Sequence, residues 1–362
     1  MARPALLDRL VPVPPAAVRR LAIAAVVAQA GIAVTGSIVR VTGSGLGCPT
    51  WPQCSPGSLV PTPHPEVAAL HQWVEFGNRL LTFAVVAITG LCFLAALGCY
   101  RSGHDASPPH SVRGGRPAPD HRRPRRSRLV RLALVQPLGV IAQAVIGGFT
   151  VLLGLAWWSV SVHFLVSMAL VWLAVVLVSA VDEGDGPPRP VVPNAVRALA
   201  GTATAVLGAL LLAGTFVTAA GPHSGDTDTP RLAAGVPAMA QLHADLLFGY
   251  LGLLVGLGFA LCAVAAPAGL LRRYAMLVAA ALLQGVVGGV QYALGVPEAL
   301  ASLHVLGAAL VTVAAAAVWT GTATRGPVAA PPTPPRPRDA TPAEPPAPSP
   351  DAADRPALAE RS

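Results

Sequence analysis

The residues best suited to chemistry lie in the run Leu70-His71-Gln72-Trp73-Val74-Glu75-Phe76-Gly77-Asn78-Arg79. An imidazole, a carboxylate, an amide and a guanidinium share nine positions at the head of a long apolar segment. An ionised side chain at mid-bilayer costs about 2.5–3.5 kcal/mol on insertion scales, so such groups call for a purpose. The i, i+4 spacing puts His71, Glu75 and Arg79 on one helix face. Two readings follow. Glu75 and Arg79 form an ion pair that lowers the cost of both charges, or Glu75 presents its carboxylate to a substrate bound beside His71. Three further histidines, His163, His243 and His304, lie in other apolar segments. A cysteine pair, Cys48 and Cys54, sits in the polar stretch just before the run, within Cys-Pro-Thr-Trp-Pro-Gln-Cys.

These groups need elements to hold them, and composition says which. The chain has 362 residues, 53% of them hydrophobic and 12% charged, with a mean hydropathy of +0.60. That is too little charge for a soluble protein of this length. The apolar runs are long, rich in Ala, Leu and Val, and reach the roughly 20 residues a spanning helix needs, so strands are not expected. The reading is an all-α polytopic membrane protein. Eight transmembrane helices are expected near 21–39, 67–99, 129–153, 159–181, 195–219, 237–265, 274–294 and 300–320. Trp157 and Trp158 then fall between the third and fourth, and Arg272-Arg273 mark a turn. A basic lead-in covers 1–20, a Gly/Pro-rich loop 40–66, an arginine-rich loop 101–128, and a Pro/Ala-rich tail without a fold 322–362.

All 25 basic residues are arginine. The net charge of +8 invites a nucleic-acid reading, but in an eight-helix order the arginines gather on one side. The opposite loops hold only Arg40 and Arg231. The excess therefore reads as topology, with membrane lipid as the surrounding partner, no nucleic acid, and both termini cytoplasmic in the plasma membrane. No cleavable signal peptide is expected. Cys48 and Cys54 then face the oxidising side, as either a staple for the loop or a redox pair. Cys92, Cys99 and Cys262 read as small apolar fillers.

The chain also repeats itself. Gln143-Ala-Val-Ile-Gly147-Gly148 resembles Gln284-Gly-Val-Val-Gly288-Gly289, and Ser161-Val162-His163 and Ser302-Leu303-His304 each follow after the same interval. Leu70-His71 with Phe76-Gly77 resembles Leu242-His243 with Phe248-Gly249, and Gly36-Ser37-Ile38-Val39 resembles Gly214-Thr215-Phe216-Val217. A parallel repeat makes the fold two pseudo-two-fold-related four-helix bundles, 21–181 and 195–320. It brings His71, His163, His243 and His304 to one depth, with His71 facing His163 and His243 facing His304. Two opposed histidines suit the axial positions of a heme iron. A membrane histidine can equally serve as an interhelical hydrogen bonder, and the paired glycines are ordinary close helix contacts as well as room for a macrocycle. Zinc fits less well, because no carboxylate or thiol joins either pair. Asp245 lies off the His243 face. His64, His104, His110, His121 and His223 receive no role.

Together these residues resemble the heme A synthase family over about 20–320. The resemblance is carried by Thr42-Gly43-Ser44-Gly45-Leu46-Gly47-Cys48-Pro49-x-Trp51-Pro52-x-Cys54, by Glu75-x-x-Asn78-Arg79, and by the Ser-x-His repeats. It implies oxidation of a methyl group of heme O to the formyl group of heme A for terminal oxidase biogenesis. It implies heme b as cofactor, held in the second half by His243 and His304. Substrate heme O would lie in the first half between His71 and His163, with Glu75 as the catalytic carboxylate and Cys48–Cys54 as a pair important for activity. The implied partners are a heme O synthase, terminal oxidase assembly factors and further copies of the chain. The family pattern on the second helix is Glu-x-x-His-Arg, and Asn78 stands where its histidine would be. On the repeat as aligned, His71 takes that role. A diheme electron carrier shares the histidines but has no need of Glu75 or the cysteine loop. A transporter built on a parallel repeat would gather its polar groups at the midplane.

Overall fold

The structure is a computed structural model that describes residues 13–63, 68–102, 126–226 and 229–326, the side chains of 100–102 excepted. His64, most of the arginine-rich loop with His104, His110 and His121, and most of the tail lie outside these residues. Eight helices dominate: α1 Pro15–Val41, α2 Ala69–Ser102, α3 Ser127–Leu152, α4 Trp157–Asp182, α5 Asn194–Ala220, α6 Val236–Ala263, α7 Ala268–Ala293 and α8 Glu298–Gly321. Each is long and apolar enough to cross a membrane. The chain is a multi-pass α-helical membrane protein.

Proline punctuates the helices. Pro15 opens α1, and Pro193, Pro267 and Pro297 immediately precede α5, α7 and α8. A first-turn N–H has no helical partner, so proline costs nothing there and presets φ. This moves two expected boundaries. α1 begins ahead of Arg19 and Arg20, and α7 ahead of Arg272 and Arg273, so these arginines lie within helices. Hydropathy excluded them, but a long arginine at a helix end keeps its charge in water while its stem covers apolar surface. Trp157 and Trp158 likewise open α4 rather than precede it.

α1 packs on α2 and α4, and α3 closes a ring between α2 and α4. α5 and α6 pack extensively, as do α7 and α8, and narrower α5–α8 and α6–α7 contacts close a second ring. Between the rings, α8 meets α1 and α4, and α4 meets α5. The second ring has an apolar core that includes Leu207, Tyr250, Leu254, Leu257 and Leu277. The first packs smaller residues, among them Ala22, Cys92, Ala96 and Ala133. Cys92 and Cys99 are buried as expected of fillers, but Cys262 is exposed on α6. The α3–α4 and α7–α8 turns are near-copies. Gly154-Leu155 and Gly295-Val296 all have positive φ, and the N–H groups of Leu155 and Val296 donate back to Thr150 and Gln291.

The two ends of the bundle differ. At the arginine-rich end, buried Arg126 donates to the Ala180, Val181 and Glu183 carbonyls at the end of α4. Arg19 pairs with Asp182, and Arg128 with Glu183 at 2.8 Å. The chain after α8 does not leave at once: β2 Ala323–Thr324 forms a short antiparallel ladder with β1 Arg189–Pro190. At the cysteine end, Arg40 Nε donates to the His223 carbonyl at 2.7 Å and Nη2 to that of Thr218 at 3.4 Å. Arg231 donates to the carbonyls of Gly221 and Pro222 at 2.9 and 3.1 Å. The His223 ring meets the Val296 carbonyl at 2.8 Å, and Gly45 N–H donates to Gly225 O at 2.9 Å.

Candidate functional site

The polar run on α2 binds the loop that precedes it. Glu75 is buried, with 5% of its surface exposed. Its Oε1 accepts from Arg79 Nη2 at 2.6 Å and Nε at 3.1 Å. Its Oε2 accepts from the backbone N–H of Cys48 at 2.7 Å. Arg79 also donates to the carbonyls of Cys48, Thr50 and Gln53 at 2.8, 3.0 and 3.1 Å. Gln72 donates to Thr62 O at 3.1 Å, and His71 Nδ1 lies 3.0 Å from Ser44 Oγ. Cys48 and Cys54 are buried and joined by a disulfide that closes the loop Arg79 grips. Of the two expected readings of Glu75–Arg79, the structure contains the ion pair. Its spare hydrogen-bonding capacity holds the disulfide loop. Trp51 of the loop lays its ring over Gly148 of α3.

The histidines of α4 and α8 share one local arrangement. Gln143 Nε2 donates to the His163 carbonyl at 2.8 Å, and Gln284 Nε2 to the His304 carbonyl at 2.8 Å. A methyl added at Gly147 would stand 3.1 Å from His163 Cε1, and one at Gly288 would stand 2.8 Å from His304 Cε1. These glycines make room for an imidazole, rather than for another helix. The repeat marked the Gln–Gly–His spacing without showing what each residue touches.

α6 offers the third ring. His243 Nδ1 lies 3.1 Å from the Leu210 carbonyl of α5, and a methyl at Gly214 would stand 3.1 Å from His243 Cε1. His243 faces His304, with ring centroids 6.2 Å apart and planes at 61°. Two imidazoles on one iron, each through a metal–nitrogen bond of about 2 Å, hold their centroids about 6 Å apart. The buried Nδ1 atoms of His163 and His304 have no hydrogen-bond partner. The residues of the second ring therefore fit a bis-histidine heme. Among the described residues no three His, Cys, Asp or Glu side chains converge, so a zinc site with that many such ligands is not built.

The expected counterpart of His243 does not hold. His71 is the third residue of α2, whereas His243 is the eighth of α6, and His163 and His304 are the seventh of α4 and α8. At 1.5 Å per residue, His71 stands about 7 Å nearer its helix start than His243 does. Its ring lies near Gly43. Gly36, the counterpart of Gly214, faces Asn78 instead, with Nδ2 4.0 Å from where a methyl would be. Thr35 Oγ1 donates to Asn78 Oδ1 at 2.7 Å and lies 3.1 Å from Ile32 O, the counterpart of Leu210 O. Asn78 and Thr35 together fill the slot that His243 fills. The matching motif around His71 misled because it ignored where each helix begins. The signal that could have found the pair is the Gly36/Gly214 register, which sets Thr35 against Ala213.

Residues 19–316 match the family model of the cytochrome oxidase assembly proteins of the COX15-CtaA type. Two curated relatives are heme A synthases, from Geobacillus thermodenitrificans and Geobacillus kaustophilus (strain HTA426). Each is 31% identical over 70 residues, 19% of this chain, and the matched stretch spans 20% of the relative's own length. The family match runs through all eight helices, the disulfide loop and the four polar positions just described. The chain belongs to the COX15-CtaA family of cytochrome oxidase assembly proteins.

Proposed function

We propose that the chain is a heme A synthase, oxidising a methyl group of heme O to the formyl group of heme A. The observation that carries this reading is the opposed His243–His304 pair, spaced as two ligands of one iron, beside a first ring that repeats the Gln–Gly–His arrangement at His163. His243 and His304 hold a resident heme b in α5–α8, and His163 ligates substrate heme O in α1–α4. The same pairs of helices touch when α1–α4 and α5–α8 are exchanged, with α5–α8 and α6–α7 narrower than their counterparts, which supports two bundles related by a pseudo-two-fold axis. Heme b, when bound, supplies a one-electron redox centre.

The chain's own residues define the rest. Gln143 and Gln284 pin the backbone of the ligating histidines to α3 and α7. Arg79 fixes the Glu75 carboxylate against the disulfide loop. In the arrangement described, both Glu75 oxygens are occupied. Oε2 becomes free to take a proton from the substrate methyl, or to stabilise the cation formed as electrons leave, when the Cys48–Cys54 loop lifts from it. Water then adds its oxygen to give the alcohol, with two electrons and two protons lost in all, and a second loss of two electrons and two protons gives the aldehyde. The four electrons go to an external electron acceptor and the protons to water. Both termini lie in the cytoplasm, the disulfide loop faces outward in the plasma membrane, and heme O synthase and terminal oxidase assembly factors act before and after this step.

The test is the pigment profile of the purified full-length chain from cells that make heme O. Heme A, or a hydroxylated heme O, is the expected extract. A single resident heme with no conversion makes the chain an electron carrier, and protein without heme overturns the reading.

A further inference from the structure

The slot filled by His243 in α5–α6 is filled in α1–α2 by two residues that do not ligate iron. We infer that the first-half heme is held by the protein from one face only, through His163, and that its other face is open to a small exogenous ligand hydrogen-bonded by the Asn78 amide. This rests on the reading of both halves as heme sites.

The register is internal to this chain. Gly214 makes room for the His243 ring and Gly36 for the Asn78 amide. The Leu210 carbonyl meets His243 Nδ1, and its counterpart, the Ile32 carbonyl, lies 3.1 Å from the Thr35 hydroxyl. Thr35 and Asn78 differ from Ala213 and His243 together, and the two differing residues touch each other at 2.7 Å. The exchange is thus a matched pair of polar residues.

Asparagine cannot take over ligation. Its amide nitrogen carries two donors, and its acceptor is the oxygen. Thr35 occupies that oxygen, which leaves the Nδ2 donors on the side of Gly36. A donor in that place suits a ligand that carries negative or partial negative charge when bound to iron, such as hydroxide or a diatomic gas. His71 is not a substitute. It sits two turns nearer the start of α2, its Nδ1 meets Ser44 Oγ, and its carbonyl lies under Gly47 of the disulfide loop.

The experiment uses the full-length chain loaded with heme b and heme O, reduced and exposed to carbon monoxide. One heme in two is expected to bind the gas, with the other remaining six-coordinate and low-spin. Asn78→His is expected to abolish gas binding and give two low-spin hemes, while His71→Ala leaves gas binding as it was. Asn78→Ala keeps the adduct, shifts the carbon monoxide stretching frequency and speeds release about fivefold, the size of one lost hydrogen bond. A wild-type chain with two low-spin hemes and no gas binding overturns the inference, as does His71→Ala creating a high-spin heme or a first half that takes up no heme. His243→Ala separates this failure from that of the underlying reading. It should open the second heme to the gas, and a spectrum unchanged by His243→Ala and His304→Ala would overturn both.

Discussion

Gly288 and Gly289 are neighbours in sequence with opposite surroundings, and this makes a sharp test. A methyl at Gly288 would stand 2.8 Å from His304 Cε1, at least 0.6 Å inside ordinary contact at 3.4 Å, while one at Gly289 would meet nothing within 4 Å. Replacing glycine by alanine inside a helix gains about 1 kcal/mol from backbone propensity. At Gly289 only that gain applies. At Gly288 the methyl must push the imidazole aside, and overpacking of this kind costs about 1–3 kcal/mol. The ring cannot retreat freely, because its own backbone carbonyl is tied to Gln284. The net loss of up to about 2 kcal/mol corresponds to about 30-fold weaker heme retention. The assay is competition for heme by an excess of an apo heme-binding protein, followed by the loss of the low-spin visible spectrum. Gly288→Ala should release heme faster and Gly289→Ala should match or exceed the wild type. Equal retention in both variants would refute the placement of His304 against Gly288.

Three further outcomes follow from the same geometry. Glu75→Ala leaves Arg79 without its carboxylate and Cys48 N–H without an acceptor, and breaking a buried pair from one side costs about 3–5 kcal/mol. The Cys48–Cys54 bond should then be reduced faster by an impermeant thiol, and heme O conversion should stop while second-half heme b stays bound. Arg126→Ala exposes three carbonyls at the end of α4 to loss of a charged donor, each such bond being worth about 1.5–3 kcal/mol. It should lower the temperature at which the protein aggregates in detergent, without changing its visible spectrum. Gln284→Leu removes one neutral hydrogen bond of about 1 kcal/mol and should shorten heme retention by a few-fold, less than Gly288→Ala does.

The helices were legible because a spanning helix must be apolar over its whole length, and the chain offers eight such runs. Their ends were less so. Arg19, Arg20, Arg272 and Arg273 are polar by scale and helical in fact, since charge at a helix end reaches water without breaking the helix. The Gln143–His163 and Gln284–His304 spacing was readable as a repeat, and the structure gives each glutamine its partner carbonyl. At the α2 position two short motifs disagreed: Glu75-x-x-Asn78-Arg79 pointed to Asn78, and Leu70-His71 to His71. Leu70-His71 copies Leu242-His243 in letters, but α6 carries five more residues ahead of its histidine than α2 does. Contacts across helices, Gly36 to Asn78 and Gly214 to His243, settle the register that the Gly36/Gly214 match hinted at. The short ladder after α8 escaped for a different reason: two backbone-paired residues leave no periodicity to detect.

Arg40 and Arg231 run against the sidedness of all the other loop arginines. Both spend their donors on backbone carbonyls at or just beyond the end of α5, where the aligned peptide dipoles leave partial negative charge. Each guanidinium is therefore anchored to the protein by these bonds. The opposite end gathers Arg19, Arg20, Arg126, Arg128, Arg272 and Arg273 at the starts of α1, α3 and α7, so an anionic leaflet meets a more cationic surface there. In vesicles with one anionic and one neutral leaflet, that contrast alone would favour a single orientation, by about 1 kcal/mol for each arginine that stays free near the surface.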